Sequence, residues 1–400
     1  MQVKISDSIK YIGVDDKTID LFESQYLVPN GISYNSYLIV DEKVAIMDTV
    51  DKRKTNEWLE NLDRELNGRT PDYLVISHLE PDHASNIKVV SEKYPSMKLV
   101  GNAKTFSMLP QFFPDFDFAD KTVTVKEGDE LELGSHKLTF IMAPMVHWPE
   151  VMVTYESFEK VLFSADAFGT FGALNGNIFN DEYDIDRDWL PDYRRYYTNI
   201  CGKYGMQVQS LLKKALTLDI QMICPLHGPV WRSNLVYIIN KYDLWSKYEA
   251  EGNSVMIAYA SIYGNTENAA YYLANELSKL GVKDIAMYDV SSTDVSYLIS
   301  ETFRCSHIVL MSATYNLEIY PKMDDYISDM KRLNVSNKTF AIVDNGTWAP
   351  TAGKKMREAV ETLKSCKICE NTTTIKSAVN GGNAAALAAL AKEIAAEIQG

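Results

Sequence analysis

The sequence predicts two successive α/β units: a sandwich with sheets inside and helices outside, followed by a doubly wound parallel sheet. Three observations carry that expectation. Up to about residue 250, short β-type runs bounded by turn signals mix irregularly with helical patterns. From about residue 252, strand and helix take turns at regular spacing, which implies right-handed crossovers and a parallel sheet. The change of grammar falls at Glu251, Gly252 and Asn253, so the units are expected at 1–251 and 252–400.

In the first unit the β-type runs are SYLIV, VAIMD, YLVIS, KLVGN, KLTFIMAP, VMVTY, KVLFSAD and QMICPLHG. They are rich in Val, Ile, Tyr and Phe, which fit a pleated, half-buried surface. TNEWLENLDRELN and VQSLLKKALTL place apolar residues three and four apart, the spacing of one helical face. In the second unit SVMIAYA, DIAMYDV, HIVLMSA, TFAIVDN and TTTIKSAV read as strands with helices between them. The chain ends in AAALAALAKEIAAEI, a strong helix former rather than a disordered tail.

Composition narrows the function. Four hundred residues at 46% hydrophobic can bury two cores. A formal charge of −14, with no Lys/Arg block to override it, repels phosphate backbones and anionic membrane surfaces, so neither nucleic acid nor membrane is an expected partner. The opening MQVKISDSIKYIGVDD lacks the basic-then-apolar pattern of a leader, and the chain has no uncharged apolar run of about 18 residues. A soluble, cytoplasmic protein is expected. The five cysteines are dispersed and only Cys366 and Cys369 have C-x-x-C spacing, half of what a four-thiolate metal site needs; free thiols are expected.

The residues 77–85, SHLEPDHAS, follow the apolar run YLVIS and crowd four potential ligands into six positions. Along an extended backbone His78, Glu80 and Asp82 share a face, and His83 can turn to a neighbouring position. Such a cluster is either a metal site, serving two adjacent ions with two donors each, or an unusually polar turn. His147, Asp166 and His227 each follow a β-type run, where loops at one sheet edge converge, and Asp166 is the natural carboxylate to bridge two cations. His136, in the hairpin ELGSHKL, is expected to be an ordinary surface residue, and His307 structural.

SIYGNTE follows the first strand of the second unit and opens a helix. Backbone N–H groups there, with the Ser261 and Thr266 hydroxyls and the helix dipole, can cradle a phosphate. The loops SATYNLEIYP and DNGTWAP lie at the carboxyl ends of later strands, where this architecture places its ligand crevice. Tyr315 and Trp348 could flank a flat ring there or cover the core.

H-x-E-x-D-H at His78, Glu80, Asp82 and His83, with His147, Asp166 and His227 downstream, resembles the metallo-β-lactamase-like domain of flavodiiron proteins. Zinc hydrolases of that superfamily usually carry histidine where this chain has Glu80, and an added hard oxygen donor favours iron. The resemblance implies one iron on His78, Glu80 and His147, a second on Asp82, His83 and His227, and Asp166 bridging. The three later loops resemble the flavodoxin FMN site. That implies phosphate on Ser261, Ile262, Tyr263, Gly264, Asn265 and Thr266, and isoalloxazine near Thr314, Tyr315, Asn316, Asn345, Gly346, Thr347 and Trp348.

The two halves in this order resemble flavodiiron proteins across essentially the whole chain. The resemblance implies a metallo-β-lactamase-like αββα sandwich followed by a flavodoxin-like sheet, and an oxidoreductase. Electrons from an external carrier, in the family rubredoxin, would pass through FMN to a non-haem diiron centre that reduces dioxygen to water, nitric oxide to nitrous oxide, or both. It also implies a head-to-tail homodimer or dimer of dimers, with Trp148 a candidate contact. Two other readings remain: a zinc-dependent hydrolase with a regulatory flavodoxin domain, and a non-catalytic flavin electron carrier.

Overall fold

The structure is a computed structural model that describes residues 4–399. It separates into two compact units. The first comprises the chain through Tyr197 together with Met206–Asp243; the second comprises Thr198–Gly205 together with the chain from Leu244 onward. The division therefore falls inside the helix Leu235–Ser246 rather than at the Gly252 turn, and a short segment near residue 200 packs with the second unit. Strand patterning marks where a sheet begins, whereas packing decides to which core a preceding helix belongs.

The first unit is an αββα sandwich. One sheet runs, in spatial order, Ile9–Tyr11, Tyr37–Val40, Val44–Met47, Tyr73–Val75, Lys98–Asn102 and Thr122–Val125. The other runs Glu130–Glu132, Lys137–Met142, Met152–Glu156, Val161–Phe163 and Met222–Cys224. Helix Thr55–Leu66 buries Trp58, Leu62 and Leu66, spaced four apart on one face, and stops at Asn67 in a left-handed conformation with φ 47°. Asn102 ends its strand and caps helix Ala103–Phe112, its Oδ1 accepting the Lys104 and Thr105 N–H groups at 3.0 Å each.

The second unit has a doubly wound sheet in the spatial order Ile285–Asp289, Val255–Ala260, His307–Tyr315, Thr339–Asn345, then Lys367–Ile368 and Thr373–Ile375 beside Thr339–Asn345. These pairings are all parallel. Numbered along the chain this is 2-1-3-4-5, the flavodoxin-like order, whose switch point lies between the first and third strands. Val255, Ile257, Val309, Met311 and Val343 fill the interior together with Leu273 and Leu277 of one helix and Leu387, Leu390 and Ile394 of the C-terminal helix Gly381–Gln399. Val, Ile and Leu in near-continuous runs are what a sheet covered on both faces requires.

Candidate functional sites

The first site is built from four strand ends. The run YLVIS contains the strand Tyr73–Val75, after which the chain carries His78 to Glu80, whose backbone (φ −59°, ψ 132°) leads into the next turn. Pro81 ends the extended run that the shared face of His78, Glu80 and Asp82 would need. It opens a helical turn, Pro81–Ala84, in the first-turn position that proline favours. The turn breaks the alternation, so Asp82 leaves the face of His78 and Glu80 and joins His83. His147 follows the strand Lys137–Met142, Asp166 follows Val161–Phe163, and His227 follows Met222–Cys224.

The seven side chains form two adjoining groups, His78, Glu80, His147 and Asp166 in one and Asp82, His83 and His227 in the other; within each, one donor atom per residue lies within 4.8 Å of the others. All seven are buried. His147 Nε2 lies 2.9 Å from Glu80 Oε2 and 3.0 Å from Asp166 Oδ2, while His78 Nε2 lies 3.2 Å from Asp166 Oδ2. The other Asp166 oxygen, Oδ1, is 3.7 Å from His227 Nε2. One carboxylate thus turns an oxygen to each group. In the second group His83 Nε2 and His227 Nε2 face each other at 3.0 Å, with Asp82 Oδ2 at 3.4 and 3.2 Å.

These donors fit a pair of metal ions. Both oxygens of Asp166, both oxygens of Asp82 and both ring nitrogens of His78 are buried and make no hydrogen bond, a state that costs several kcal/mol for charged groups unless a cation satisfies it. Protonation behaviour records the same congestion. Burial works against charge on His147, but the adjacent Asp166 and Glu80 carboxylates raise it to about 10. Burial likewise opposes ionisation of Asp166, yet His78 and His147 hold it well below the carboxylate range. Burial and then Glu80 push Asp82 up to about 6, and burial with His227 beside it keeps His83 far below the usual imidazole range. Protons here substitute for a stronger positive charge.

Several residues that set this geometry were not apparent from sequence. His227 donates from Nδ1 to the Ser33 carbonyl at 2.7 Å, which leaves Nε2 free to ligate. Asn35 holds the loop carrying His227 by donating to the Pro225 and Gly228 carbonyls at 2.9 and 2.8 Å, and the Tyr37 hydroxyl donates to Pro225 at 2.6 Å. Buried Glu150 accepts the Leu79 N–H at 2.8 Å, fixing the backbone between His78 and Glu80. Buried Asp48 accepts the Ser77 N–H at 2.7 Å, and the Thr49 hydroxyl donates to the His83 carbonyl at 2.6 Å. Glu23, at a hairpin tip with φ 48°, sets its carboxyl against Glu80; desolvation there and the Glu80 charge push it up to about 7. The only legible signal was the clustering of polar residues in ISYNSY and HWPE.

His136 is not a surface residue. It is 2% exposed, with Nδ1 2.7 Å from Asp41 Oδ2 and Nε2 3.3 Å from Glu159 Oε1. Three turns converge there, and each supplies one member. His307 begins its strand as expected.

The second site is a cavity of about 390 Å³ at the carboxyl ends of the parallel strands. Ser261, Ile262, Tyr263, Asn265 and Thr266 line one side; Thr314 and Asn316 with Asn345, Gly346, Thr347 and Trp348 line the rest. Ala313, Leu317 and Ser377 also line it and were not foreseen, whereas Gly264 and Tyr315 lie outside the lining. Gly264 precedes helix Asn265–Lys279 at φ 88°, in the left-handed region, and its N–H donates to Ser261 Oγ at 3.0 Å. Asn345 Nδ2 donates to Thr266 Oγ1 at 3.2 Å, tying the third loop to the first. Trp348, 80% exposed, and half-exposed Tyr315 offer apolar faces at the rim. A polar cradle at a helix N-terminus with aromatic rims suits a phosphate attached to a flat ring, as in FMN.

A dinuclear metal unit of the metallo-β-lactamase kind followed by a flavodoxin-like flavin unit defines a narrow class of redox proteins. Comparison agrees. A family model described as ODP family beta lactamase matches residues 32–228. The chain is 31% identical over 355 residues to the anaerobic nitric oxide reductase flavorubredoxin of Vibrio vulnificus, covering 87% of this chain and 70% of that one. It is 30% identical to an uncharacterised protein of Methanocaldococcus jannaschii over 94% of both chains. Among solved structures, rubredoxin:oxygen oxidoreductase from Desulfovibrio gigas superposes with a TM-score of 0.93 at 26% identity, over 100% of this chain and 99% of that one. The Giardia intestinalis flavodiiron protein shares the fold, with a TM-score of 0.92 at 24% identity and coverage of 100% and 98%. The chain belongs to the flavodiiron protein family. Among the described residues no helix is long and apolar enough to cross a membrane.

Proposed function

We propose that this protein is a flavodiiron oxidoreductase that takes electrons from a separate carrier and reduces dioxygen to water, nitric oxide to nitrous oxide, or both. The observation that carries the reading is Asp166, whose two oxygens each turn to a different group of buried donors. His78, Glu80 and His147 would hold one iron, Asp82, His83 and His227 the other, with Asp166 between them. Loops 261–266, 314–316 and 345–348 would hold FMN. Bound there, FMN supplies an acceptor that takes electrons singly or in pairs, and the iron pair supplies redox equivalents beside open positions for a diatomic gas.

The chain's own residues prepare that chemistry. Ser33 fixes the His227 tautomer, and Glu150 and Asp48 hold the backbone of the donor-rich loop. The Phe22 and Tyr34 rings pack edge-on against His227, shielding the second group from water. A rubredoxin-type donor, a head-to-tail homodimer and a cytoplasmic location complete the reading. In support, the Desulfovibrio relative is named for rubredoxin and oxygen. Hydrolase and simple carrier readings each leave one of the two sites without a role.

The test is anaerobic stopped-flow of the reduced, iron- and FMN-loaded protein against dioxygen and nitric oxide separately. At least one gas should be consumed, and Asp166→Ala should abolish consumption while FMN still binds. Consumption of neither gas by fully loaded protein would end the proposal.

A further inference from the structure

A line of tyrosine and tryptophan rings leads from one of the clustered donors to the surface of the first unit. It starts at His227, whose ring lies 5.5 Å, centroid to centroid, from that of Tyr196. Tyr196 closes the helix Leu190–Tyr196, and Tyr193 stands one turn back on the same face. The Tyr193 ring is 5.5 Å from that of Trp231, and Trp231 stacks on Tyr237 at 6.3 Å with 21° between the planes. The Tyr237 hydroxyl donates to Asp186 Oδ1. Tyr193, Tyr196 and Trp231 are buried, Tyr237 is half-buried and Asp186 is exposed.

Two features separate this line from ordinary aromatic packing, for which phenylalanine would serve. The first is the fate of its polar atoms. The Trp231 indole nitrogen lies beside the Tyr193 hydroxyl, yet neither finds a hydrogen bond of good geometry. A buried polar group left unsatisfied costs stability, and phenylalanine at either position would avoid that cost. What tyrosine and tryptophan have and phenylalanine lacks is an electron that leaves readily. Every ring on the line between His227 and the surface is of that kind.

The second feature is the outer end. A phenol gives up an electron easily when its proton can leave at the same time, and the Asp186 carboxylate stands within hydrogen-bond reach of the Tyr237 proton. Tyr193 has no such acceptor, and burial raises its hydroxyl well above the usual phenol range. The inner rings therefore pass an electron inward without losing a proton, whereas the electron deficit comes to rest at Tyr237, where solvent reaches it.

We propose that Tyr196, Tyr193, Trp231 and Tyr237 form an electron-supply line that protects the metal site when dioxygen reaches it short of electrons. The line rests on the reading that the seven donors hold an iron pair that meets dioxygen. Carrying dioxygen to water takes four electrons. Where the gas arrives before all four are stored, an oxidising equivalent is left beside the His227 imidazole. One electron then moves from Tyr237 through Trp231, Tyr193 and Tyr196 to the site, and the Tyr237 phenol proton passes to Asp186. The products are a neutral tyrosyl radical and a protonated Asp186. A small one-electron reductant such as ascorbate returns the electron at the surface, Asp186 returns the proton, and the phenol is restored. Oxidation is thereby moved from a ligand that holds metal to a ring that can be repaired.

The experiment uses the full-length, iron- and FMN-loaded protein, given half the electrons dioxygen needs, mixed with dioxygen and frozen at once for electron paramagnetic resonance. An organic radical signal should appear that narrows when the protein is made with ring-deuterated tyrosine. A flavin radical is told apart because neither labelled tyrosine nor labelled tryptophan narrows it. Tyr237→Phe, a small change at a half-buried position, should abolish the tyrosine signal or replace it with one that narrows on tryptophan labelling. Trp231→Phe should remove both. Tyr34→Phe should keep the tyrosine signal, because the Tyr34 ring, 6.0 Å from that of His227, stands off the line. Ascorbate added before freezing should quench the signal. Iron-loaded protein that consumes dioxygen without a tyrosine radical, that keeps the radical unchanged in Tyr237→Phe and Trp231→Phe, or that consumes nitric oxide alone overturns the supply line and leaves the gas reductase standing. Protein that takes up no iron, or consumes neither gas, ends both.

Discussion

Replacing Glu150 by alanine tests whether the iron donors are placed by the backbone beneath them. Glu150 is 1% exposed, and its Oε1 accepts the N–H of Leu79, the residue between His78 and Glu80, at 2.8 Å. The neighbouring Met152 N–H donates to the Ser77 carbonyl at 3.0 Å, so these two bonds hold the start of the donor-rich loop. Alanine leaves the Leu79 N–H buried and unpaired, a penalty of about 1–3 kcal/mol. Taken as about 2 kcal/mol, this lowers the melting temperature of the metal-free protein by roughly 4–8 °C for a unit of this size. If the same energy is lost from the geometry that receives iron, affinity falls by about thirtyfold. Glu150→Gln keeps an acceptor oxygen of the same reach and should recover most of both. The assays are thermal unfolding of metal-free protein and the rate at which a chelator strips iron from loaded protein. Wild-type iron retention in Glu150→Ala, with or without a stability loss, would refute the claim that this bond positions the donors.

Asn35→Ala removes the two donations that fix the Pro225–Gly228 loop, so iron on the His227 side should be lost first; chelation should turn biphasic, with the faster phase accounting for half the iron. Gly264→Ala forces a side chain into φ 88°, where a Cβ meets no neighbouring atom within 4 Å, so the cost is backbone strain alone. Stability of the flavin unit should fall by about 1–2 kcal/mol in urea unfolding, and FMN affinity by up to about tenfold. Lys338, 2% exposed, donates to the Phe303 carbonyl at 2.7 Å, and burial lowers it from 10.5 to about 8. Between about pH 8 and 10.5 the unfolded chain binds the extra proton, so this group makes stability rise with pH across that window, by roughly 3 kcal/mol in all. The difference in unfolding free energy between wild type and Lys338→Met, measured at pH 7, 9 and 10.5, isolates the effect; a flat difference would refute it.

How much of this was legible in the sequence depends on whether a feature is local. The strands were, because Val, Ile and aromatic runs such as VMVTY and HIVLMSA carry their own period and length. The parallel order of the second sheet followed from the alternation of strand and helix, since a crossover permits one hand. The seven clustered donors were visible as residue types at strand ends, and their division into two groups came only from the family resemblance, because the local spacing pointed elsewhere. That division depends on Pro81 starting a helical turn, and in an extended reading Asp82 stays with Glu80. Residues that act through another chain segment left no mark beyond the polar clusters ISYNSY and HWPE. Glu150 reaches across 71 positions to Leu79 and Asn35 across 190 to Pro225, so each reads locally as one more polar residue in a loop. The misplacement of His136 has the same origin. A histidine in a glycine-containing hairpin looks solvent-facing until two other turns bring Asp41 and Glu159 over it. Close-range chemistry therefore writes itself into short motifs, whereas the contacts that orient those motifs come from chain segments far apart and appear only once the sheets have paired. For a redox centre this ordering matters. Donor identity decides which ion can bind, but bonds such as Ser33 to His227 and Glu150 to Leu79 decide whether two ions sit close enough to share Asp166, and it is on that sharing that the proposed reduction of two gas molecules at one place depends.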